Sequence, residues 1–207
     1  MEGIAGTPCY RFDYNDAIKA GAVVPVEAYY YSLPKQEMEG NESNWASVYS
    51  ELVVNNENRN HLIAWILNKT HRGGVSTLCL VKEIKHGQIL SDLTAFPFAN
   101  GQDGLSKELI RAFNAGESKT LIATTGVCGE GVDTKPAEYI IMAAGGKSKV
   151  QFMQQVGRGL RRYEGKESTK IILFKDPSHK YLTRHFNASI KYLAEGYGVV
   201  PTQLTIG

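Results

Sequence analysis

The sequence predicts an α/β fold: three α/β/α layers around a mainly parallel sheet. From Val75 onward, short apolar runs alternate with amphipathic helical patterns. Right-handed crossovers turn that succession into a parallel sheet with helices on both faces. The apolar runs have strand length and end in polar turns, several of them glycine-bearing. A chain of 207 residues with 43% hydrophobic content suits one domain with a substantial core.

In order, Ala22 to Leu33 is rich in Val and Tyr and reads as a strand, with Pro25 at an edge or an early position. Tyr29, Tyr30 and Tyr31 alternate between faces, so they cannot form one stacking platform, and core packing is the better reading. Asn41 to Val54 and Asn58 to Lys69 carry helical apolar faces: Trp45, Val48 and Leu52, then Leu62, Trp65 and Ile66. Val75 to Val81 is a strand, and Lys82 and Glu83 open a helix through Leu93. Ala95 to Ala99 reads as a strand, Asn100 to Gly104 as a loop and Leu105 to Phe113 as an amphipathic helix, stopped by Ala115-Gly116. Thr120 to Ala123 and Tyr139 to Ala144 are strands, and Gln151 to Arg162 is a helix. Tyr163 to Ser168 is a charged loop, Thr169 to Phe174 a strand, and Ser178 to Glu195 the last helix.

The net charge of +2 conceals an asymmetry. Gln36 to Asn58 holds five Glu and no Lys or Arg, whereas Lys147 to Lys175 holds eight Lys or Arg against Glu164 and Glu167. The second stretch is a basic patch that suits a phosphate backbone. Cys9, Cys79 and Cys128 lie far apart, which fits a reducing compartment and argues against zinc and a disulfide framework. His179 and His185 do not share a helical face, so a metal site there is not expected. No apolar run approaches membrane-spanning length and no signal pattern opens the chain.

The functional centre is Thr120 to Arg162. A short strand leads into Thr124-Thr125-Gly126 and then Gly129-Glu130-Gly131-Val132-Asp133, glycine-rich backbone that an anion can approach. The helix beyond predicts an apolar stripe of Val150, Met153, Val156 and Leu160. Gln154, Arg158 and Arg161 fall on a neighbouring stripe. Gly157 and Gly159 weaken the helix beside Arg158, as expected where something approaches the backbone. The plain alternative is a solvated basic face.

Gln154-x-x-Gly157-Arg158-x-x-Arg161 resembles motif VI of superfamily 2 helicases. Ala123-Thr124-Thr125 with Gly129 to Asp133 resembles their motif V, in the right order and with a strand between. Gly3-Ile4-Ala5-Gly6-Thr7-Pro8 resembles motif III, with Gly6 in place of the usual Ala, and Val75 to Lys82 resembles motif IV. Together these resemble the second RecA-like domain of such a helicase. The Gly-Lys-Ser-Lys and Gly-Arg-Gly-Leu-Arg-Arg surroundings resemble phage-type DNA recombination and branch-migration helicases. Gly145-Gly146-Lys147-Ser148 mimics the end of a phosphate-binding P-loop. The first glycine of that motif would fall on Ile141, so a P-loop is rejected.

The resemblance implies roles residue by residue. Arg158 and Arg161 would reach the γ-phosphate of ATP, and Gln154 would position the phosphate or the attacking water. Gly131 would admit the nucleotide and Asp133 would accept from a ribose hydroxyl. Thr124 or Thr125 with Gly126 would hold a nucleic-acid phosphate. Lys82, His86, Lys147 and Lys149 are further nucleic-acid-facing candidates. ATP and Mg2+ would be held mainly by a first RecA-like domain, in cis or on a separate chain, because the sequence carries neither a P-loop lysine nor an Asp-Glu box.

The expected division is therefore residues 1–22 as a motif III remnant and linker, 23–195 as the second motor domain, and 196–207 as a tail. The expected partner is nucleic acid, DNA in the favoured reading, with no membrane and a cytoplasmic setting in a bacterial or phage-infected cell. A non-catalytic nucleic-acid-binding or regulatory module is the alternative. Intact Gln154, Arg158, Arg161 and Asp133 count against it.

Overall fold

The computed structural model describes residues 13–38, 44–128, 134 and 136–205. Its sheet has seven strands in the order β3-β4-β2-β5-β6-β1-β7, every neighbouring pair parallel. The strands are β1 (Val26–Ser32), β2 (Thr77–Val81), β3 (Phe98–Ala99), β4 (Thr120–Thr124), β5 (Tyr139–Met142), β6 (Thr169–Lys175) and β7 (Thr202–Leu204). The helices are α1 (Tyr14–Lys19), α2 (Trp45–Tyr49), α3 (Glu57–Arg72), α4 (Ile84–Thr94), α5 (Ser106–Asn114), α6 (Lys149–Gly159) and α7 (Lys180–Tyr197). This is the three-layer parallel architecture that the alternating pattern predicts.

Because side chains alternate along a strand, one apolar run feeds two cores. Leu78, Leu80, Ile140, Ile171 and Leu173 join the cluster that includes Phe113, Phe152 and Val156. Cys79, Val81, Ile141, Ile172 and Phe174 join the one that includes Ile63, Leu67 and Leu90. The tyrosines of β1 divide in the same way, Tyr30 meeting Phe186 and Tyr31 meeting Trp65. Core packing is thus their role. Pro25 precedes β1, which lies between β6 and β7 rather than at an edge. A third cluster of Val48, Tyr49, Leu52, Val53 and Val54 packs on Leu182. It is built by α2 and a π-helical turn, Ser50–Val54. Asn56 separates that turn from α3, its side chain accepting from the Arg59 amide at 3.0 Å.

Several expectations change. Ala95 does not start a strand. At φ 59° it closes α4 in a left-handed conformation, so only Phe98–Ala99 reach β4. Thr202–Leu204, in the stretch expected as a tail, pair with Tyr29–Tyr31. On the other side, Tyr14 of α1 packs edge-on against Tyr197 at 4.9 Å, and its hydroxyl accepts from the Val26 amide at 2.7 Å. The packed unit therefore includes residues on both sides of 23–195. Finally, the arginine-bearing helix runs from Lys149 to Gly159 instead of from Gln151 to Arg162. Arg161 lies beyond its end, in an antiparallel bridge with Val23, next to a 2.8 Å bond from the Val24 amide to the Leu160 carbonyl.

The apolar face of α6 is also rotated from the expected stripe. Phe152 and Val156 are buried, while Val150 is 67% exposed. Gly159 explains the choice. A Cβ there would stand 2.1 Å from Ile140 Cδ1, so the helix lies directly on β5. The approach that the glycine signals is made by the sheet. The motif III-like residues Gly3 to Pro8, and also Gly131 and Asp133, lie outside the described residues.

Candidate functional site

In a parallel α/β sheet the loops at the carboxyl ends of the strands gather on one edge. There β2 delivers Lys82, β4 delivers Thr125 and Gly126, β5 delivers the turn from Gly145 to Ser148, and β6 delivers Asp176. Between them opens a cleft of about 500 Å³. Lys82, Thr125 and Lys147, three of the sequence candidates, line it.

Local structure fixes these positions. The Thr125 amide donates to the Val81 carbonyl at 2.8 Å, which holds the turn after β4 against the end of β2. Thr124 ends β4 and is buried, whereas Gly126 is exposed. Gly145 and Gly146 adopt φ of 61° and 116°, conformations that side chains resist, and turn the chain from β5 into α6. Ser148 caps α6, its hydroxyl accepting from the Gln151 amide at 3.3 Å. The exposed N–H groups of a first helical turn attract anions.

The remaining candidates separate. Arg158 is half-buried on α6 and sits close enough to Cys128, in the turn after β4, for its charge to act on that thiol. Burial pushes the Cys128 thiol up to about 12, and the arginine works in the opposite direction. Gln154 and Arg161 are exposed. Lys149 lies outside the cleft lining, ion-paired with Glu195 at 2.7 Å. His86, a candidate phosphate contact by sequence, is fully buried. Its Nε2 meets the Asn60 Oδ1 at 2.9 Å while Nδ1 has no partner. Because the Asn60 amide nitrogen already donates to the Val54 carbonyl, Oδ1 accepts and His86 Nε2 carries the proton. A second proton would sit on a buried, unbonded nitrogen, so burial pulls the pKa to about 3. His86 is a neutral core group.

Sequence reading missed Arg59, Arg184 and His185, all lining the cleft. Arg59 is 4% exposed. Its Nη2 donates to the Ala143 carbonyl at 3.3 Å, and its guanidinium lies 4.7 Å from the centre of the Phe174 ring. A signal existed: Arg59 stands three, four and seven positions before Leu62, Ile63 and Ile66, on the buried face of α3. Burial lowers the pKa of His185, and the positive charges of Lys147, Arg184 and Lys82 add to that effect. Among the described residues, no group of three or more His, Cys, Asp or Glu could hold a metal ion. No described helix is long and apolar enough to cross a membrane.

Residues 102–163 match the family described as helicase conserved C-terminal domain, a span that includes the turn after β4 and all of α6. The chain is 24% identical over 123 residues to the ATP-dependent DNA helicase uvsW of Enterobacteria phage T4, covering 56% of this chain and 24% of that protein. It is 23% identical over 188 residues to a candidate helicase of Sulfolobus islandicus filamentous virus, covering 82% of this chain and 34% of the viral protein. The chain thus spans about a third or less of these relatives. The crystal structure of T4 UvsW superposes with a TM-score of 0.69 at 19% identity, over 86% of this chain and 41% of that one. The fold is therefore the RecA-like one.

Proposed function

We propose that the chain is the second motor domain of an ATP-dependent superfamily 2 nucleic-acid helicase or translocase, acting on DNA in remodelling or branch migration; the match of residues 102–163 to the helicase conserved C-terminal domain and the RecA-like fold support this reading. Arg158 and Arg161 serve as the arginine fingers, planar and permanently charged, that stabilise charge developing on the γ-phosphate. Gln154 positions that phosphate or the attacking water. Gly131 would admit the nucleotide and Asp133 would accept from a ribose hydroxyl, as in the motif they resemble. Thr124 or Thr125, with Gly126, holds a nucleic-acid phosphate, and Lys82, Lys147 and Lys149 face the nucleic-acid backbone.

The observation that supports this reading most is that Arg158 lies near enough to the turn after β4 for its charge to act on Cys128. One edge of the sheet then presents an arginine for the nucleotide and a threonine-glycine turn for the strand, so movement at either ligand is felt at the other. The cations fit the phosphates of ATP, while the groups that hold Mg2+ belong to a first motor domain, in cis or on a separate chain. Bound ATP–Mg2+ supplies the transferable phosphoryl group. The residues of this chain bind, orient and neutralise it.

The test supplies the first motor domain and measures ATP turnover with and without DNA. Arg158→Ala is expected to retain DNA affinity and lose roughly 10³-fold or more in turnover. Unchanged turnover would transfer the chain to the non-catalytic binding class. The 207-residue chain by itself is expected to hydrolyse no ATP, and turnover by it that Arg158→Ala abolishes would contradict that expectation.

A further inference from the structure

The cleft at the carboxyl edge is more than a stretch of phosphate track. Lys82, Lys147 and Arg184 are all exposed at its rim, and none of the three is ion-paired among the described residues. Lys147, Arg184 and Lys82 each lie near enough to His185 for their charge to act on it, secondary to its burial. Asp176 is the lone carboxylate residue of the lining among the described residues, and it is 1% exposed. A positive cluster with no exposed acid in the same lining raises the local concentration of anions.

The lining is also aromatic, with the Arg184 guanidinium 6.0 Å from the centre of the Tyr181 ring. Trp45 and Tyr181 are partly exposed, with ring centres 6.0 Å apart, and His185 stands 4.4 Å from Trp45. The His185 ring is nine-tenths buried, and its Nδ1 has no protein partner. A volume of about 500 Å³ lies within the roughly 300–1,000 Å³ range of small-molecule pockets.

We propose that this cleft takes one phosphorylated nucleoside, its phosphate held by Lys82, Lys147 and Arg184 and its base laid against Trp45 and Tyr181. The unit is either a terminal or everted nucleotide of a bound strand, or a free mononucleotide. Both present the same phosphate ester and ring. Aromatic faces accept any base, so the pocket has little sequence preference, and a strand end is already unpaired and costs least to insert. The strand arm rests on the nucleic-acid reading given above, whereas the mononucleotide arm stands without it.

Trp45 is one of two tryptophans in the chain, so Trp65→Phe leaves it as the sole indole reporter. Thymidine 5′-monophosphate, ribose 5-phosphate, thymidine and inorganic phosphate are titrated against Trp45 emission. A single-stranded oligonucleotide is compared with its copy lacking the terminal base. Quenching by the mononucleotide or the intact oligonucleotide is expected. Binding should weaken about tenfold or more when base or phosphate is removed. Arg184→Ala and Lys147→Ala should each weaken it by a similar factor with an unchanged melting temperature, since both side chains are exposed. A response to the oligonucleotide alone assigns the strand source, and a response to the mononucleotide alone assigns the free one. Inorganic phosphate competing as well as the mononucleotide would reduce the cleft to an anion patch and overturn the proposal. Silence of Trp45 toward both ligands would overturn it as well. Oligonucleotide binding that persists without any change at Trp45 would overturn the pocket and leave the track reading intact.

Discussion

Gly159→Ala isolates the contact that sets the arginine helix on the sheet. The added Cβ would stand 2.1 Å from Ile140 Cδ1 and 3.3 Å from Cγ1. Carbon atoms rest about 3.5–4.0 Å apart. Relief therefore requires a shift of about 1.5 Å, and Ile140, 0% exposed, has no open side to move toward. Overpacking of this kind costs roughly 1–3 kcal/mol. Replacing glycine in a helix returns at most about 1 kcal/mol, and less at the last helical position. The net loss is about 1–2 kcal/mol. At roughly 2–4 °C per kcal/mol for a chain of this size, Tm falls by about 2–8 °C.

Gly157→Ala, two positions earlier, meets only the Tyr197 hydroxyl at 3.8 Å. It should gain roughly 0.4–1 kcal/mol, chiefly through the unfolded chain. Calorimetry on both variants therefore gives shifts of opposite sign. Ile140→Val removes Cδ1 and costs about 0.5–1.5 kcal/mol alone. In the Gly159→Ala background it should restore stability, a coupling that a double-mutant cycle detects. A Gly159→Ala protein as stable as the parent, or strict additivity in the cycle, would refute contact between α6 and β5 as the reason for the glycine.

Arg161→Lys, assayed with the first motor domain supplied, should keep folding and DNA affinity yet cut ATP turnover steeply. It retains charge but loses the planar fork, and an arginine finger is worth roughly 10³–10⁵ in rate. A lowered Tm with spared turnover would make Arg161 structural. DNA binding by this chain should be sequence-tolerant and fall steeply with salt, because the lysines and arginines of 147–175 displace counterions without reading base edges. Equal affinity at two salt concentrations would contradict this. His86 makes stability pH-dependent with a defined sign: neutral when folded down to about pH 3 and titrating near 6.5 when unfolded, it lets the unfolded chain bind the extra proton. Its contribution is complete above about pH 6.5 and is lost as pH falls toward 3, by at most about 1.4 kcal/mol per pH unit. Urea unfolding at pH 7.5 and 4.5 measures the slope, which His86→Gln should flatten. An unaltered slope would remove His86 as its source.

The strand-helix alternation was legible because β2, β4, β5 and β6 are buried on both faces and leave unbroken apolar runs. The motifs at Thr124 and Gln154 were legible as local strings. What escaped was non-local. The end of α6 depends on Val23 and Val24, far away in sequence, which capture Leu160 and Arg161. Its buried face depends on the position of Ile140. Thr202–Leu204 carries no strong strand signal and pairs because Tyr29–Tyr31 offers an edge. Arg59 went unremarked because its partners are distant in sequence: Phe174 and the Ala143 carbonyl are what make it a core residue.

The place of β1 carries a consequence for how the chain is made. Among the described residues, the first strand in the sequence sits between the last two, with Val26 beside Thr169 and Tyr29 beside Thr202. As the polypeptide leaves the ribosome, β2, β4 and β5 can assemble among themselves, while a tyrosine-rich strand waits with both edges bare. Such edges recruit strands from other chains. β7 is only three residues long, yet it covers that edge at Tyr29–Tyr31 in the finished molecule. Deleting 199–205 should therefore show itself first in yield and aggregation during expression, with β6 left as the sole cover for β1.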